Sequence, residues 1–510
     1  MSIEVELKLA ADPADLADLT RALAALAPGS VAVARTLVST YFDTPDQALR
    51  RAGSILRVRE QDRRFVQTLK TEDPDRENLL ARGEWEDTVF DNQPDPRARE
   101  SGSRVPGGIA GELRPLFVTE FDRVAIEIEP KPGTRIEAAV DRGMIRASES
   151  GRSEPVSEVE LELKDGDPAA LYDLALELLE TAPLRIDPRS KSERGYRLAA
   201  GGDEPSTAIS AEPVVLDPQM TIDDALQRVG RACLAHLLRN EPAALGGDIE
   251  GVHQMRVAMR RLRSMLSAVK KMLPEAERRW VSDEIGVLAG ALGPARNLDV
   301  FATELLPPAR EEAPDQPGWK ELSEATDRAR ADAHRHVAKL IHSPAHTASM
   351  LRLLRWFEAR GWRHEPPNEP DEALTVGAVV PAVLDRRRRA VRKRSRHFRR
   401  LPAHERHRLR IAVKKLRYTI ELLDSLHARR DARPFTKRLK RVQDELGHAN
   451  DVRVAYRLVI ELGRAAPQAE PLADAGAQLL ARRERELAQN EDKLRRGLRR
   501  LTQARPFWQR

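Results

Sequence analysis

The spacing of apolar residues changes near residue 200 and divides the chain into two parts. Before that point, short runs of alternating apolar and polar residues recur between turns rich in Gly, Pro and Asp, which is typical of an antiparallel sheet. From about Met220 onward, the apolar residues follow helical spacing. The sequence therefore predicts an α+β domain over residues 1–198, a linker over 199–214 and an all-α domain over 215–505.

The two parts also differ in charge. Residues 1–210 contain 28 Lys and Arg against 40 Asp and Glu, a net charge of −12, whereas the remaining residues carry +18. A basic domain favours an anionic partner, and an acidic domain that acts on anions usually needs a metal ion. The charge difference therefore indicates that the two domains do different electrostatic work.

Composition excludes several classes of protein. The single cysteine, Cys233, rules out an intramolecular disulfide and a multi-cysteine zinc site. Aromatic residues make up 4% of the chain, which disfavours base stacking on single-stranded nucleic acid. No apolar run approaches the roughly 20 residues that span a membrane, and the acidic, alternating N-terminus differs from a signal peptide. We therefore expect a cytoplasmic protein.

The helical part contains a duplication. Residues 253–263 (HQMRVAMRRLR) match residues 407–417 (HRLRIAVKKLR), and residues 292–297 match residues 446–451 at the same offset of 154. An ungapped offset through two separate motifs indicates two copies of one helical unit. Proline-rich breaks over 306–318 and 365–371 accompany the predicted repeats, which cover about 215–362 and 373–505.

Carboxylates alternate with apolar residues in two predicted strands. Residues i and i+2 of a strand share a face, so Glu4, Glu6 and Lys8 line one side of the first strand, and residues 158–162 (EVELE) repeat this pattern. Other strands show further carboxylates and cations: Glu84, Glu86, Arg57, Arg59 and Lys70. These faces are either outer surfaces exposed to water or the walls of one lumen. In a lumen, the clustered carboxylates would repel each other and would suit Mg²⁺ or Mn²⁺.

These residues resemble the motifs of the CYTH superfamily, the triphosphate tunnel metalloenzymes. The ExExK motif at residues 4–8 is followed in family order by segments that extend the resemblance over nearly all of residues 1–198: 41–45, 56–59, 69–71, 82–86, 140–143, 158–164 and 190–196. The resemblance implies an eight-stranded antiparallel tunnel that hydrolyses or rearranges a triphosphate.

The resemblance also implies residue roles. The metal ligands would be Glu4, Glu6, Asp141, Glu160 and Glu162, with Glu158 also facing inward. The triphosphate would be bound by Lys8, Arg57, Arg59, Lys70, Arg123 and Lys191. The catalytic set would be Glu4, Glu6, Lys8, Asp141 and Glu162. Either Asp141 or Glu162 could orient the attacking water, and the strand pattern does not choose between them.

Each copy of the repeated helical motif begins with His and carries cations at +3, +7 and +10. These positions lie within an arc of about 80° on an α-helix. The two stripes are His253, Arg256, Arg260, Arg263 and His407, Arg410, Lys414, Arg417. One such stripe is usually a solvated face, but its recurrence favours a shared anion site. The arginine-rich run 385–400 would equally suit a nucleic acid or a heparin-like polyanion.

The duplicated part resembles the CHAD domain, an α-helical module often attached to CYTH domains. The resemblance covers roughly residues 215–505 and implies a basic groove between two four-helix bundles that binds inorganic polyphosphate, with association to polyphosphate granules. We therefore predict a metal-dependent inorganic triphosphatase joined to a polyphosphate-binding domain. The alternatives are a granule protein with little turnover, an enzyme for an organic triphosphate such as thiamine triphosphate, an adenylate cyclase, or a nucleic-acid binder.

Overall fold

The computed structural model describes residues 3–61, 64–72, 81–105, 109–202, 206–363, 374–427, 429–465 and 469–509. The chain divides into two compact units. The sheet unit contains Met1–Thr207 and Ile341–Gly361, and the helical unit contains Ala208–Leu340 and Trp362–Arg510. The predicted break over 365–371 lies outside the described residues. Within the described ranges, no helix is long and apolar enough to cross a membrane.

The described part of the sheet unit contains nine antiparallel strands in the order β5-β4-β3-β2-β6-β7-β8-β1-β9. The strands are β1 Ile3–Ala11, β2 Val33–Asp43, β3 Ser54–Gln61, β4 Arg64–Glu72, β5 Ala81–Val89, β6 Arg114–Lys131, β7 Thr134–Ala147, β8 Ser153–Asp165 and β9 Leu184–Ile186. β1 also pairs with β5, where Ile3 lies opposite Gly83, and this pairing joins the two ends of an eight-strand ring. The predicted fold class is confirmed, with β9 as one short strand more than the eight expected.

Helices cover the apolar face of these strands. The sheet unit contains α1 Leu16–Leu26, α2 Ala48–Arg51, α3 Ala169–Thr181 and α4 Lys191–Ala199. Leu7, Leu9 and Leu161 on the apolar face are at most 3% exposed, and α3 packs against β1 and β8. Because the apolar face is covered from outside, the alternating carboxylates point to the inside of the ring. The alternative of a polar outer surface is therefore wrong for β1 and β8.

A later helix completes the sheet unit. Helix α10, Pro344–Glu358, packs against α3 and β9, and its Arg355 forms an ion pair with Asp173 of α3. The sequence predicts this segment as part of the first helical repeat. Helical spacing predicted that the segment has an apolar face, but that spacing does not say which core covers the face. The predicted domain ranges remain predictions.

The helical unit repeats its own helix pattern. Its long helices are α5 Ile222–Leu245, α6 Ile249–Ala268, α7 Glu275–Val300, α9 Trp319–Ile341, α11 Val376–Ser395, α12 Ala403–Leu422, α13 Arg429–Ala465 and α14 Ala469–Gln503; the short α8, Leu306–Glu312, lies within the predicted break over 306–318. Helices α11, α12 and α13 begin 154 residues after α5, α6 and α7, which matches the offset of the duplicated motifs. Thr221 and Thr375 cap α5 and α11 and pair with each other in an antiparallel bridge.

Candidate active site

The eight-strand ring encloses a cavity of about 270 Å³. Its lining comes from all eight strands of the ring and from the start of α4, and it mixes carboxylates with cations. In the ring, β3 and β8 are separated by three strands in either direction, so they form opposite walls. Arg57 and Arg59 on β3 therefore lie across the cavity from Glu160 and Glu162 on β8.

Lys191 lies among three carboxylates of the β7–β8 wall. Its Nζ is 2.6 Å from Asp141 Oδ2 and 3.0 Å from Glu160 Oε1, and it also pairs with Glu158. The strand register creates this cluster, because Asp141 lies opposite Glu158 in the β7–β8 pair. Asp141 and Glu158 are 0% and 2% exposed, so their charges need a buried counter-charge.

A capping box fixes Lys191 in this position. The Ser190 hydroxyl accepts a hydrogen bond from the Glu193 backbone N–H at 3.1 Å, and the Glu193 carboxylate accepts one from the Ser190 N–H at 2.7 Å. Helix α4 therefore begins at Lys191. Farther along α4, a Cβ on Gly195 would lie 2.1 Å from the Phe117 ring. Glycine at that position lets α4 approach the sheet and brings Lys191 onto the carboxylates.

Burial and charge act in opposite directions on this cluster. Burial raises the pKa of Glu158, because it favours the neutral acid. Burial alone would also raise the pKa of Glu160, but the charge of Lys191, supported by Lys8 and Arg123, outweighs burial and holds that pKa well below its ordinary value. Burial alone would lower the pKa of Lys191, yet the neighbouring carboxylates raise it. Glu160 and Lys191 are therefore both charged near neutral pH.

Two arginines bind the same carboxylates from either side. Arg123 donates two hydrogen bonds of 2.7 Å to Asp141 and also pairs with Glu160. Arg194 on α4 donates to Glu158 at 3.2 Å and to Glu154 at 2.7 Å. This network holds the carboxylates in fixed positions before any ligand arrives.

The opposite wall carries excess positive charge. Arg57 and Lys70 share Glu84, at 3.4 and 3.3 Å, and the Nε of Arg57 is buried with no hydrogen-bond partner among the described residues. Burial, and next the charge of Arg57, lower the pKa of Arg59 to about 10. Burial alone would raise the pKa of Tyr41, but these cations outweigh burial and lower it. An anion in the cavity would relieve this repulsion.

The remaining predicted residues lie along the β1–β8 pair. Glu6 lies opposite Glu162, and Lys8 lies opposite Glu160. Lys8 forms ion pairs with Glu6 and, at 3.6 Å, with Glu160. Lys164 pairs with Glu162 at 2.7 Å. Both Glu6 and Glu162 line the cavity, whereas the side chain of Glu4 lies outside the described part of the chain.

The donor atoms of the buried cluster suit a hard divalent cation. One oxygen each from Asp141, Glu158 and Glu160 lies within 4.8 Å of the others. Mg²⁺ binds oxygen at about 2.0–2.1 Å, so ligands on its opposite sides lie about 4 Å apart. These three carboxylates therefore fit a divalent ion in chemistry and nearly in spacing. Lys191 Nζ makes these contacts now and would have to move aside.

The helical unit brings its two basic stripes together where α6 and α12 pack against each other. The Arg260 guanidinium of α6 lies 5.4 Å from the ring centroid of Tyr418 on α12. The Nε atoms of Arg260 and Arg410 are buried and have no hydrogen-bond partner among the described residues. Buried donors without acceptors, one on each helix, indicate a place for an anion.

The charges at this helix pair repel each other. Burial, and then Arg410, Arg260 and Arg256, lower the pKa of Lys414 to about 7. Burial with the neighbouring cations lowers the pKa of Arg256 to about 10. Burial, followed by the charge of Arg296, lowers the pKa of His253 to about 4. His253 is therefore neutral near pH 7 and would offer a hydrogen bond rather than a charge.

Comparison with known families identifies both parts of the chain. Residues 2–196 match the CYTH domain family, and residues 228–460 match the CHAD domain family. The chain joins a CYTH domain to a CHAD domain. Both resemblances predicted from the sequence are confirmed. The CHAD match starts within α5 and ends within α13, so it includes both basic stripes.

Three relatives illustrate these matches. Over 207 residues, the chain is 32% identical to an inorganic triphosphatase of Haemophilus influenzae, which covers 39% of this chain and 55% of that protein. It is 27% identical over 359 residues to an uncharacterized protein of Mycobacterium tuberculosis, covering 68% of this chain and 65% of that protein. The chain thus spans between half and two thirds of these relatives. The crystal structure of the CHAD domain from the plant Ricinus communis is 31% identical with a TM-score of 0.51, covering 57% of this chain and 96% of that domain.

Most of the residues predicted for the CYTH domain lie around one cavity. Asp141, Glu158, Glu160, Arg123 and Lys191 form the buried network. The other described members line the cavity: Glu6, Lys8, Arg57, Arg59, Lys70 and Glu162. Their individual roles remain predictions.

Only some of the residues predicted for the CHAD domain interact with one another. Arg256, Arg260, Arg410 and Lys414 act on one another electrostatically. Arg417 instead donates to Glu421 at 2.6 Å. Polyphosphate binding by any of these residues remains a prediction.

Sequence reasoning missed several residues of these sites. In the CYTH domain, Tyr41 and Arg194 lie in the motif segments 41–45 and 190–196, whose spacing assigns them no role. In the CHAD domain, burial and next the charge of Arg296 on α7 lower the pKa of His253, and burial and next the charge of Arg453 on α13 lower that of His407. Arg296 lies in the duplicated segment 292–297, to which no role was assigned, and Arg453 lies on α13 outside the repeated motifs, so the spacing of the stripes could not reveal either contact.

Part of the arginine-rich run 385–400 has a structural role. Arg386 donates to the Ala268 carbonyl at 2.8 Å, and Arg388 donates to the Ala504 carbonyl at 2.8 Å. The buried Arg387 donates to the carbonyls of Ser264 and Lys415, at 3.0 and 2.9 Å. These guanidinium groups satisfy backbone carbonyls and are not available as an open polyanion surface.

Proposed function

We propose that the CYTH domain hydrolyses inorganic triphosphate with a divalent metal ion, Mg²⁺ or Mn²⁺. The observation that carries this proposal is the pair of opposite walls: Arg57 and Arg59 on β3 face the carboxylates of β8 across one 270 Å³ cavity. A short phosphate chain needs cations along its length, and a metal ion needs carboxylates. The similarity to the Haemophilus influenzae inorganic triphosphatase over the CYTH region supports this substrate class.

The cationic wall would bind the phosphate chain. Arg57, Arg59 and Lys70 would donate to phosphate oxygens, which would relieve the repulsion between these buried cations. Lys8 and Arg123 lie between the walls and would neutralise charge as the terminal phosphorus is attacked by water. Binding and charge neutralisation together account for most of the catalysis in phosphoryl transfer.

The carboxylate wall would hold the metal ion and position water. Asp141, Glu158 and Glu160 would be its ligands, with Glu6 and Glu162 close along β1 and β8. Once bound, the metal ion supplies Lewis-acid stabilisation of charge on the phosphoryl oxygens. A carboxylate beside it would accept the proton of the attacking water, and Glu162 and Asp141 are the candidates for that role.

The test is phosphate release by the full chain from pyrophosphate, tripolyphosphate, long-chain polyphosphate, ATP and thiamine triphosphate. The full chain is needed because α10 belongs to the sheet unit. We expect tripolyphosphate with Mg²⁺ or Mn²⁺ to be the preferred combination. Preference for ATP or thiamine triphosphate would favour the organic-triphosphate alternative, and no turnover with either metal would leave a binding protein.

We further propose that the CHAD domain binds inorganic polyphosphate along the paired stripes of α6 and α12. This proposal rests on the unpartnered guanidinium nitrogens of Arg260 and Arg410 and on the mutual repulsion of the neighbouring cations. Polyphosphate supplies closely spaced oxygens without bases, so it satisfies these donors without needing aromatic surfaces. Association with polyphosphate granules in the cytoplasm would follow from such binding.

Removing two charges of the α6 stripe should weaken polyphosphate binding strongly. We expect Arg256→Gln with Arg260→Gln to lower the affinity about 100-fold and to reduce the salt slope of binding by about 1–2. Glutamine keeps the helix propensity similar. Titration calorimetry at several salt concentrations measures both effects.

The control removes the same charge elsewhere. Arg279 is exposed and Arg278 half-buried on α7, and both pair with Glu275. Arg278→Gln with Arg279→Gln should leave the affinity within about twofold, because exposed ion pairs contribute little. Equal losses in both double variants would mean that net charge alone attracts the polyanion.

Polyphosphate binding should depend on pH through Lys414. The pKa of this amine is about 7 in the free protein, and a bound polyanion raises it, so binding takes up a proton above pH 7. We expect the affinity to fall by up to about tenfold per pH unit above pH 7. Lys414→Arg should abolish this fall, because arginine stays charged. Lys440→Arg, at an exposed position of α13, should leave the fall intact, and an unchanged profile in Lys414→Arg would contradict the assignment.

A further inference from the structure

A second arginine-lined cavity lies in the helical unit, outside the two stripes. It has a volume of about 760 Å³ and lies between the end of α11, the turn Phe398–Arg400 and the C-terminal part of α14. Its six lining arginines are Arg392, Arg396, Arg399, Arg400, Arg495 and Arg499. It is nearly three times larger than the cavity of the CYTH domain, and it has no carboxylate in its lining.

Little negative charge compensates these arginines. Asp492 lies 3.4 Å from Arg399 and 3.3 Å from Arg495. Among the residues that the structure describes, the other four arginines have no carboxylate within ion-pair distance. Guanidinium groups held together without counter-charges repel each other, and planar guanidinium groups match phosphate oxygens well.

A turn in the backbone creates this cluster. Helix α11 ends at Ser395, and His397, with φ 55° and ψ 36° in the left-handed region, turns the chain into the segment Phe398–Arg400. The turn presents arginines towards α14, where Arg495 and Arg499 are one helical turn apart. Both arginines of α14 lie beyond residue 460, where the match to the CHAD family ends.

This arginine cavity adjoins a neighbouring cavity that reaches the second stripe. The neighbouring cavity has a volume of about 780 Å³, and His407 and Arg410 are among its lining residues. Phe398 lines both cavities. The guanidinium of Arg406 covers one face of the Phe398 ring, 4.7 Å from its centroid, and the residue is only 5% exposed, so it offers little surface for stacking a nucleobase.

We propose that the arginine cavity extends the polyphosphate site, so that a long phosphate chain bound at His407 and Arg410 continues past Phe398 into it. This inference rests on the proposed polyphosphate binding by the CHAD domain. Short chains would occupy only the stripes, and long chains would also use the arginine cavity. The protein would therefore select polyphosphate by chain length.

The test uses the full chain and a matched pair of double variants in α14. Arg495→Gln with Arg499→Gln changes two cavity residues. Arg496→Gln with Arg500→Gln changes two exposed arginines, each one position away and outside the cavity lining. Both variants lose the same charge from the same helix. Affinity is measured by calorimetry for short-chain polyphosphate, long-chain polyphosphate and single-stranded DNA.

We expect the cavity variant to bind long chains about 3- to 10-fold more weakly, with a salt slope lower by about 1–2. It should bind short chains like the wild type, and the control variant should bind both like the wild type. Equal affinities of the two variants for long chains would overturn the proposal, and so would a selective loss of DNA binding. If the wild type bound no polyphosphate of either length, the proposed function of the CHAD domain would fail as well. If short chains bound normally but the cavity variant kept its affinity for long chains, only this extension would be rejected.

Discussion

Glu160→Gln should lower kcat/KM for tripolyphosphate about 1,000-fold while the protein stays folded. Glu160 pairs with Lys8, Arg123 and Lys191 and belongs to the cluster suited to a metal ion. Glutamine keeps the shape of the side chain but removes its charge and turns one oxygen into an amide donor. The variant would bind a metal ion poorly and would leave three cations without their shared partner.

The matched control for this change is Glu120→Gln. Glu120 belongs to the same sheet, but it pairs with Arg146 at 2.5 Å on an exposed surface. We expect this control to retain activity within about twofold. Phosphate release is measured at several Mg²⁺ concentrations, with circular dichroism as the check on folding. Activity of Glu160→Gln within tenfold of the wild type would exclude Glu160 from the catalytic machinery.

Lys191→Met should destabilise the protein by about 3–5 kcal/mol at neutral pH. The methionine fills similar space but leaves the buried carboxylates of Asp141, Glu158 and Glu160 without the ammonium between them. Without that ammonium, burial raises the pKa values of the Glu158 and Glu160 carboxyls. The stability difference from the wild type is therefore fully present above the raised pKa values and is lost as the pH falls through them. Urea unfolding at several pH values measures this.

The same variant also tests where the metal ion binds. With Lys191 gone, the carboxylate cluster is open, so Mg²⁺ or Mn²⁺ should stabilise Lys191→Met more than it stabilises the wild type. Lys164→Met is the control. The Lys164 side chain is 34% exposed and pairs with Glu162, so we expect this change to lower the free energy of unfolding by less than about 1 kcal/mol. If metal ions gave the variant no extra stability, the cluster would not be the metal site.

The sequence predicted those strands in which apolar residues alternate with charged ones, because one face of each is buried by helices and the other holds charges. Strands β1 and β8 follow this rule. The alternating runs that predict strands all lie within strands of the structure: 3–9, 54–59, 65–70, 84–89, 124–129, 135–140 and 158–163. Strand β2 was missed because it is buried on both sides from Ser39 to Asp43, so its residues do not alternate. Strand β9 has only three residues, which is too short for any periodic pattern.

The candidate sites were predictable where a motif combined charge with spacing. The paired stripes of α6 and α12 are an example, since their common offset identified both. Contacts made by capping and close packing were not predictable in this way. Asp43 belongs to a motif, but its carboxylate accepts hydrogen bonds from the backbone of Leu49 and Arg50 and from the Tyr196 hydroxyl. Only the folded chain brings these donors together. The sequence alone therefore does not distinguish a motif residue that lines the site from one, such as Asp43, that stabilises the fold.

The position of α10 has a consequence for the order of synthesis. The sheet unit takes residues up to Thr207 and then Ile341–Gly361, so its last helix is made after more than a hundred residues of the helical unit. At a translation rate of about 5–20 residues per second, synthesis of the intervening residues takes roughly 7–30 s, so α10 is made that much later than the rest of the sheet unit. During that interval the surface of α3 and β9 that α10 covers is open on the nascent chain. The ribosome therefore has to deliver residues 208–340 of the helical unit before the sheet unit can finish folding.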